Sequence, residues 1–384
     1  MLIQCTKSLI EKLGIQKNDL QSPEGFEQFP ASLKAWHANL VNLNRRKAIV
    51  LMNNETRYPI VIYRPKPKDF SKIRELIVEA IRTALRMEGV RKDIIDAYIA
   101  DTGEIEFSKT AGKSLVAKMN NSINDIAYLW EYLDENTLIQ RYISIAAGRF
   151  IQTSPNGEDY YPAQKFLEYL GLYSEQNQVT SSDAVRGLNL YQLKIQIVME
   201  GYDIWRRVLV PSTYSFRHLH KIIQTIFDWQ NYHLHMFEAK KTGAKYKQIV
   251  MDDDPESLDW LDFDRYDLLQ EQFVSLEDIL PDHEEVTYEY DFGDSWEHKI
   301  ILEKVVKSNS FKATFIEGEG ERPPEDVGGT WGYHEYKRIM ADPDDPEYES
   351  MKIWSESQKE RDMSKEQIND RLRRAISSYE YYYN

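Results

Sequence analysis

Tyr290-Asp291-Phe292-Gly293-Asp294-Ser295-Trp296-Glu297-His298 decides how this chain is read. Gly293 beside Asp294 and Ser295 signals a turn, and the residues on either side alternate in polarity, so Val286–Phe292 and Trp296–Val306 read as the two arms of a β-hairpin. Side chains two apart on a strand share a face. That rule groups Tyr288, Tyr290 and Phe292 on one face and Glu289 with Asp291 on the other, while Trp296, His298 and Ile300 line up after the turn. Two more short segments carry the same chemistry: His233-Leu234-His235 upstream and Pro323-Pro324-Glu325-Asp326-Val327-Gly328-Gly329 downstream. Three segments rich in His, Asp and Glu, each beside aromatic or turn residues, describe polar groups converging on one site.

Outward from the hairpin, Tyr191–Met199 alternates as a half-buried strand does, and Ile204–Pro211 supplies its partner after Gly201. A helix is predicted from Ser215 to Phe227, its apolar face made by Phe216, Leu219, Ile222, Ile223, Ile226 and Phe227. Strands over His233–Ala239 and Tyr246–Met251, an acidic loop from Asp252 to Asp267, the hairpin and a strand at Phe311–Ile316 complete the order. That order predicts an α+β domain with helices on one face of its sheet.

At 384 residues the chain exceeds a single core, and two domains are expected: residues 1–155, a short helix (Tyr160–Leu172) and polar linker over 156–187, and residues 188–384. The first domain also reads as α+β. Ala48–Met52 and Tyr58–Tyr63 form a predicted hairpin, and Ile73, Leu76, Ile77, Ala80, Ile81, Ala84 and Leu85 fall on one face of a helix capped by Ser71 and ending near Gly89. Helices are also predicted over Pro30–Asn42 and Asn121–Leu133, the latter continuing through Leu138–Ile151.

Cys5 is the only cysteine, so no internal disulfide forms and a reducing, cytoplasmic setting is expected. No apolar run approaches the roughly 18 residues that span a bilayer, so no membrane partner is expected. The net charge of −15 is uneven: residues 1–150 carry 22 Lys and Arg against 18 Asp and Glu, the remainder 26 against 45. Phosphate backbones need clustered positive charge, which disfavours nucleic acid as a partner of the acidic second domain and leaves only the first domain for that role. The short basic runs Arg45-Arg46-Lys47 and Arg64-Pro65-Lys66-Pro67-Lys68 read as solvated surface.

Ile204-Trp205-Arg206-Arg207, Leu219-His220 with Ile223-Gln224, Trp229, His233–Phe237, Tyr290–His298, and Pro323–Gly329 with Gly332-Tyr333 resemble the plasmid pRiA4b ORF-3-like family over about residues 188–375. Members also carry a transposon-passenger (TnpR-like) label, which implies mobile-element company in bacteria. The resemblance implies a compact α+β domain with a mixed or antiparallel sheet, and no activity, cofactor or substrate. Gln4-Cys5-Thr6-Lys7, Trp36 with Asn39, Asn53 to Thr56, and Phe107–Thr110 leading to Lys118-Met119-Asn120 resemble a small uncharacterised bacterial domain family.

His233 and His235, two apart, would project together, and paired imidazoles with Asp291, Asp294 and His298 are candidate ligands of a divalent transition metal. Glu325 and Asp326 are the candidate general bases, reaching in from the Pro-Pro turn. Arg206, Arg207, His220 and Trp296 are candidate ligand-binding residues. The competing account makes the same side chains a buried, mutually hydrogen-bonded network. The expected function is a binding or interaction module for a protein or small ligand; the alternatives are a metal-dependent hydrolase, for instance a phosphoesterase, in the same cleft, and a nucleic-acid accessory protein acting through the first domain.

Overall fold

The computed structural model describes residues 1–110, 112–130, 133–135, 137–154, 156–176, 185–251, 265–308 and 312–380. The chain divides into two compact units, Met1–Gly187 and Leu188–Asn384. No helix among the described residues is long and apolar enough to cross a membrane.

The first unit is built on a six-stranded sheet ordered β5-β1-β2-β3-β4-β6. Its strands are β1 (Leu2–Cys5), β2 (Ala35–Leu43), β3 (Arg46–Asn53), β4 (Pro59–Tyr63), β5 (Glu106–Lys109) and β6 (Ile139–Gln140). β1 runs parallel to both neighbours, and the remaining pairs are antiparallel. Both faces are covered: Ile49 and Leu51 point into one core, and Ala48, Val50 and Met52 into another. The helix predicted over Pro30–Asn42 is instead a 3₁₀ turn, Ala31–Lys34, followed by β2. A strand enclosed on both faces loses its alternation, since Ala35, Trp36, His37 and Ala38 are all buried, and such a run does not distinguish strand from helix.

The predicted β3–β4 hairpin and the amphipathic helix are present, the helix over Ile73–Met87. Ser71 does not cap it; Lys72 occupies the cap position, and the Ser71 hydroxyl donates to Lys68 O inside a separate short helix, Pro67–Phe70. The next predicted helix runs from Lys113 to Tyr128 and does not continue; β6 and a second helix, Arg141–Ala147, follow it. Within 156–187, β8 (Asp159–Tyr160) pairs with β7 (Gln152–Thr153), and the helix Pro162–Gln176 puts Phe166, Leu170 and Tyr173 into the first unit's core. The polar stretch 177–184 lies outside the described residues.

The second unit is an eight-stranded mixed sheet ordered β13-β12-β11-β14-β15-β9-β10-β16. The strands are β9 (Leu188–Ile197), β10 (Trp205–Pro211), β11 (His235–Lys240), β12 (Tyr246–Val250), β13 (Tyr266–Gln270), β14 (Glu285–Tyr290), β15 (Trp296–Ser308) and β16 (Thr314–Glu319). Only the β12–β13 pair is parallel. Every second residue of the central strands is buried, including Leu193, Ile195 and Ile197 of β9, Tyr288 and Tyr290 of β14, and Trp296, His298 and Ile300 of β15. Against this face packs the helix Phe216–Ile226, whose Ser215 hydroxyl accepts from the His218 backbone N–H. Each of its fully buried side chains, such as Leu219 and Ile223, contributes about 1.5–3 kcal/mol by leaving water. The opposite face of the sheet carries Lys194, Gln196, Glu297 and Lys299, so helices cover one face only.

β13 is a strand that the acidic composition of Asp252–Asp267 concealed; residues 252–264 of that loop lie outside the described residues. Beyond β16 the chain adds three helices, Gly329–Met340, Tyr348–Glu356 and Lys365–Glu380. Asp228, buried at the end of the helix Phe216–Ile226, ties the last of these down by accepting from Arg361 and Arg371. Burial alone would push this carboxyl up, but the two guanidinium groups and the Arg361 backbone N–H outweigh it and bring it down to about 2.

Because the folded pKa lies below the unfolded value of about 3.9, the Asp228 clamp contributes its stability above that pH and loses it as the pH falls toward 2. Acid unfolding should therefore steepen between about pH 4 and 2, and Asp228→Asn should lower stability at neutral pH by roughly 1–2 kcal/mol, discounted for the exposure of Arg361, while flattening that limb. Denaturant midpoints measured against pH for both proteins check this; equal acid limbs would contradict it.

Candidate functional site

Antiparallel pairing sets His235 opposite Tyr290. The ladder continues one step further, with the Asp291 backbone N–H donating to Leu234 O at 2.9 Å, which brings His233 alongside Asp291. Asp291 has φ +60°, a left-handed conformation that aspartate tolerates better than most residues. Its Oδ1 accepts from the Gly293 and Asp294 backbone N–H groups at 2.9 and 3.3 Å, pinning the turn. Its Oδ2 is left facing His233 Nε2 at 3.5 Å.

Asp294 has a different task from the metal ligand expected of it. Its Oδ2 accepts from the Gly328 backbone N–H at 3.0 Å, latching the Pro323–Gly329 loop onto the turn. Gly329, at φ +67°, lies so close that an added Cβ would sit 2.6 Å from Asp294 O. The latched loop delivers Asp326 Oδ1 to 3.1 Å and Glu325 Oε2 to 3.7 Å from His233 Nε2.

One imidazole nitrogen therefore faces three carboxylates, yet His233 Nε2 makes no hydrogen bond of acceptable geometry with any of them. His233, Asp291 and Asp326 each offer a ligand atom, all within 4.8 Å of one another. Atoms bound to one metal ion at about 2.1 Å stand about 3.0–3.4 Å apart for octahedral or tetrahedral angles, close to the 3.1 and 3.5 Å seen from His233. Glu325 is only 1% exposed and accepts from the Gln230 backbone N–H and the Tyr290 hydroxyl. Burial raises its pKa, with the Gln230 N–H, Arg322 and His233 opposing. Tyr232, Leu234 and Phe292, each next to one of these residues in the chain, are exposed.

Other residues named from the sequence lie elsewhere. His235 does not join His233: its Nε2 donates to Glu271 Oε2 at 2.9 Å, and its ring stacks on His220 at 3.5 Å between centroids. His220 is fixed by the Tyr288 hydroxyl and Asn231 Oδ1, and burial, then the neighbouring His235, pulls its pKa down to about 2. His298 donates from Nδ1 to Trp296 O inside the core, where burial lowers its pKa to about 4. Trp296 is buried and stacked on Trp229. Arg206 gives its guanidinium to Ile226 O, Glu319 O, Gly320 O and both oxygens of Glu360, while Arg207 pairs with Glu303 and Glu317. Sequence spacing finds the face a side chain points to but not its depth, and His235, His220 and His298 are one layer deeper than His233. Glu271, the partner of His235, was missed because it follows the concealed strand β13.

The second unit is thus an α+β module with a polar cluster built by a hairpin turn and a loop latched over it. Residues 189–370 match the family described as Plasmid pRiA4b ORF-3-like protein, and the chain belongs to that family. Residues 2–165 match a Domain of unknown function (DUF6933). The chain is 33% identical over 156 residues to the uncharacterised protein y4hQ of Sinorhizobium fredii (strain NBRC 101917 / NGR234), covering 40% of this chain and 75% of that protein. It also resembles the crystal structure of a protein of unknown function, MM3350 from Methanosarcina mazei Go1, at 34% identity and TM-score 0.39, covering 46% of this chain and 96% of the other.

The latch is testable without any ligand. Gly329→Ala adds a Cβ against Asp294 O at a left-handed position, and should cost about 1–3 kcal/mol in chemical denaturation. A substitution that leaves the midpoint unchanged would show that the loop is not held against the turn.

Proposed function

We propose that the second unit is a binding module for a divalent transition-metal ion, held by His233 Nε2 and the carboxylates of Asp291 and Asp326. The observation that carries this reading is the imidazole nitrogen facing three carboxylates without a hydrogen bond to any. Carboxylates gathered this closely repel one another, and a dication relieves that repulsion while taking the free imidazole lone pair. One nitrogen and a few oxygens suit manganese, iron or zinc better than calcium, which takes oxygen ligands alone. Three protein ligands also leave coordination positions for an incoming group, which is how such a module would bind a ligand through its metal.

Purified full-length chain, stripped and reloaded, should take up one such ion with a gain in melting temperature. Removing a partner of a ligand costs about 10–100-fold in affinity, and removing a ligand outright costs more, so His233→Ala and Asp291→Asn should each weaken binding at least about a hundredfold, whereas His298→Gln should not. Uptake unaffected by His233→Ala, or no uptake of manganese, iron or zinc, would refute the reading.

A second reading, metal-dependent hydrolysis, is favoured by one observation: the buried carboxyl of Glu325, with its raised pKa, lies 3.7 Å from His233 Nε2. Beside a metal-bound water it has the reach of a general base. In this reading Glu325→Gln keeps the metal and abolishes hydrolysis of a phosphoester; metal-loaded parent protein without such activity leaves the binding module as the function.

A further inference from the structure

Residues far apart in the first unit meet beside the β3–β4 turn. Arg57 lies in that turn, Lys118 on the helix Lys113–Tyr128, and Lys165 on the helix Pro162–Gln176. The Arg57 guanidinium sits 5.6 Å from the centre of the Tyr160 ring and the Lys165 ammonium 4.5 Å from it. The Lys118 ammonium is held below its ordinary value, first by burial and then by repulsion from Arg57 and Lys165, with Glu55 opposing. Among the described residues none of these three cations is in an ion pair, although Lys34, Arg64, Arg82 and Lys92 of the same unit each have one.

Arg57 is the least expected member. It is only 9% exposed, and the one hydrogen bond of its side chain among the described residues runs from Nη1 to Gln152 Oε1 at 3.2 Å. Its φ is +63°, a conformation that glycine or asparagine adopts with less strain. The turn is otherwise well made: Asn53 Oδ1 accepts from the Glu55 and Thr56 backbone N–H groups, and Arg57 N–H donates to Asn53 O. Folding therefore holds a nearly buried guanidinium, on a strained backbone, beside two like charges. The Tyr160 ring and Gln152 offset only part of the cost, because like charges this close repel and a nearly buried cation is best met by an anion. Two carboxylates lie nearby and both are engaged: Glu55 accepts from the Ser32 hydroxyl, and Asp125 accepts from Gln152, the side-chain partner of Arg57.

We propose that Arg57, Lys118 and Lys165, beside Tyr160, form a binding site for a phosphate monoester in the first unit. A planar guanidinium and two mobile ammonium groups present more donors than the engaged carboxylates beside them accept, and that donor set suits the several oxygens of a phosphate. The site shares no residue with the metal site proposed above or with the exposed basic runs at Arg45–Lys47 and Arg64–Lys68.

The test uses the full chain with inorganic phosphate, a nucleoside 5′-monophosphate and the corresponding nucleoside, followed by calorimetry and thermal melting. Inorganic phosphate and the monophosphate bind and raise the melting temperature, and the nucleoside does not. Lys118→Gln and Lys165→Gln each weaken phosphate binding about tenfold, the usual loss for one charge-assisted contact. Arg57→Gly suits the left-handed backbone, so it abolishes binding with the unliganded protein still folded and cooperative in melting. No phosphate binding by the parent, or equal binding by the lysine variants, overturns the proposal. A single-stranded oligonucleotide without a terminal phosphate is the last arm: binding tighter than that of the monophosphate, and lost in the same variants, replaces the monoester with a phosphodiester backbone and overturns the assignment as stated.

Discussion

The register between β11 and β14 is the constraint on which the second unit's polar cluster depends. With His235 opposite Tyr290, the last backbone bond before the turn joins Asp291 to Leu234, and His233 is carried to the Asp291 carboxylate. A slip of one residue would turn every side chain of β11 to the other face, exposing Phe237 and Ala239 and burying Glu238. The aromatic core therefore enforces the register: Phe237 packs on Tyr288 and Phe216, and each lost contact would expose apolar surface. The position of the cleft is a by-product of core packing, which lets it hold repelling carboxylates that could not have assembled by themselves.

Buried in the same unit are histidines with a different physical role. His218, His220 and His298 are pulled down to about 3, 2 and 4 by burial, so they remain neutral and act as hydrogen-bonding aromatic rings in the core. The His233 side chain, at the edge, is 26% exposed, with its Nε2 covered. Depth separates a structural imidazole from one able to meet an ion. The same contrast appears in the arginines, since Arg206 and Arg322 spend their donors on backbone carbonyls while the Arg57 side chain, among the described residues, spends one on Gln152. At both proposed sites a non-glycine residue stands in the left-handed region, Asp291 and Asp326 in one and Arg57 in the other.

Much of the second unit was legible because its sheet has one wet face. Alternation in Tyr191–Ile197 and Val286–Tyr290, and the apolar stripe of the helix Phe216–Ile226, read directly from the chain, and the turn at Gly293 marked the cleft. The carboxylates Asp291, Glu325 and Asp326 were named with His233 from their company in the sequence. What periodicity could not separate was His233 from His235, which share a face but sit at different depths against different partners. β2 escaped because both of its faces are covered, and β13 because acidic residues surround it. The cluster of Arg57, Lys118 and Lys165 left no local signal at all: three elements distant in the chain supply it, and each residue alone reads as ordinary surface charge.

The central claim is that one imidazole and the carboxylates around it, drawn from three segments of the chain, share one ion. Anomalous diffraction at the absorption edge of the ion that the protein takes up tests it most directly. The account predicts a single peak within bonding distance of His233 Nε2 and of carboxylate oxygens from Asp291 and Asp326. A peak between His220 and His235, or density elsewhere with the His233 nitrogen bonded only to a protein carboxylate, would contradict it.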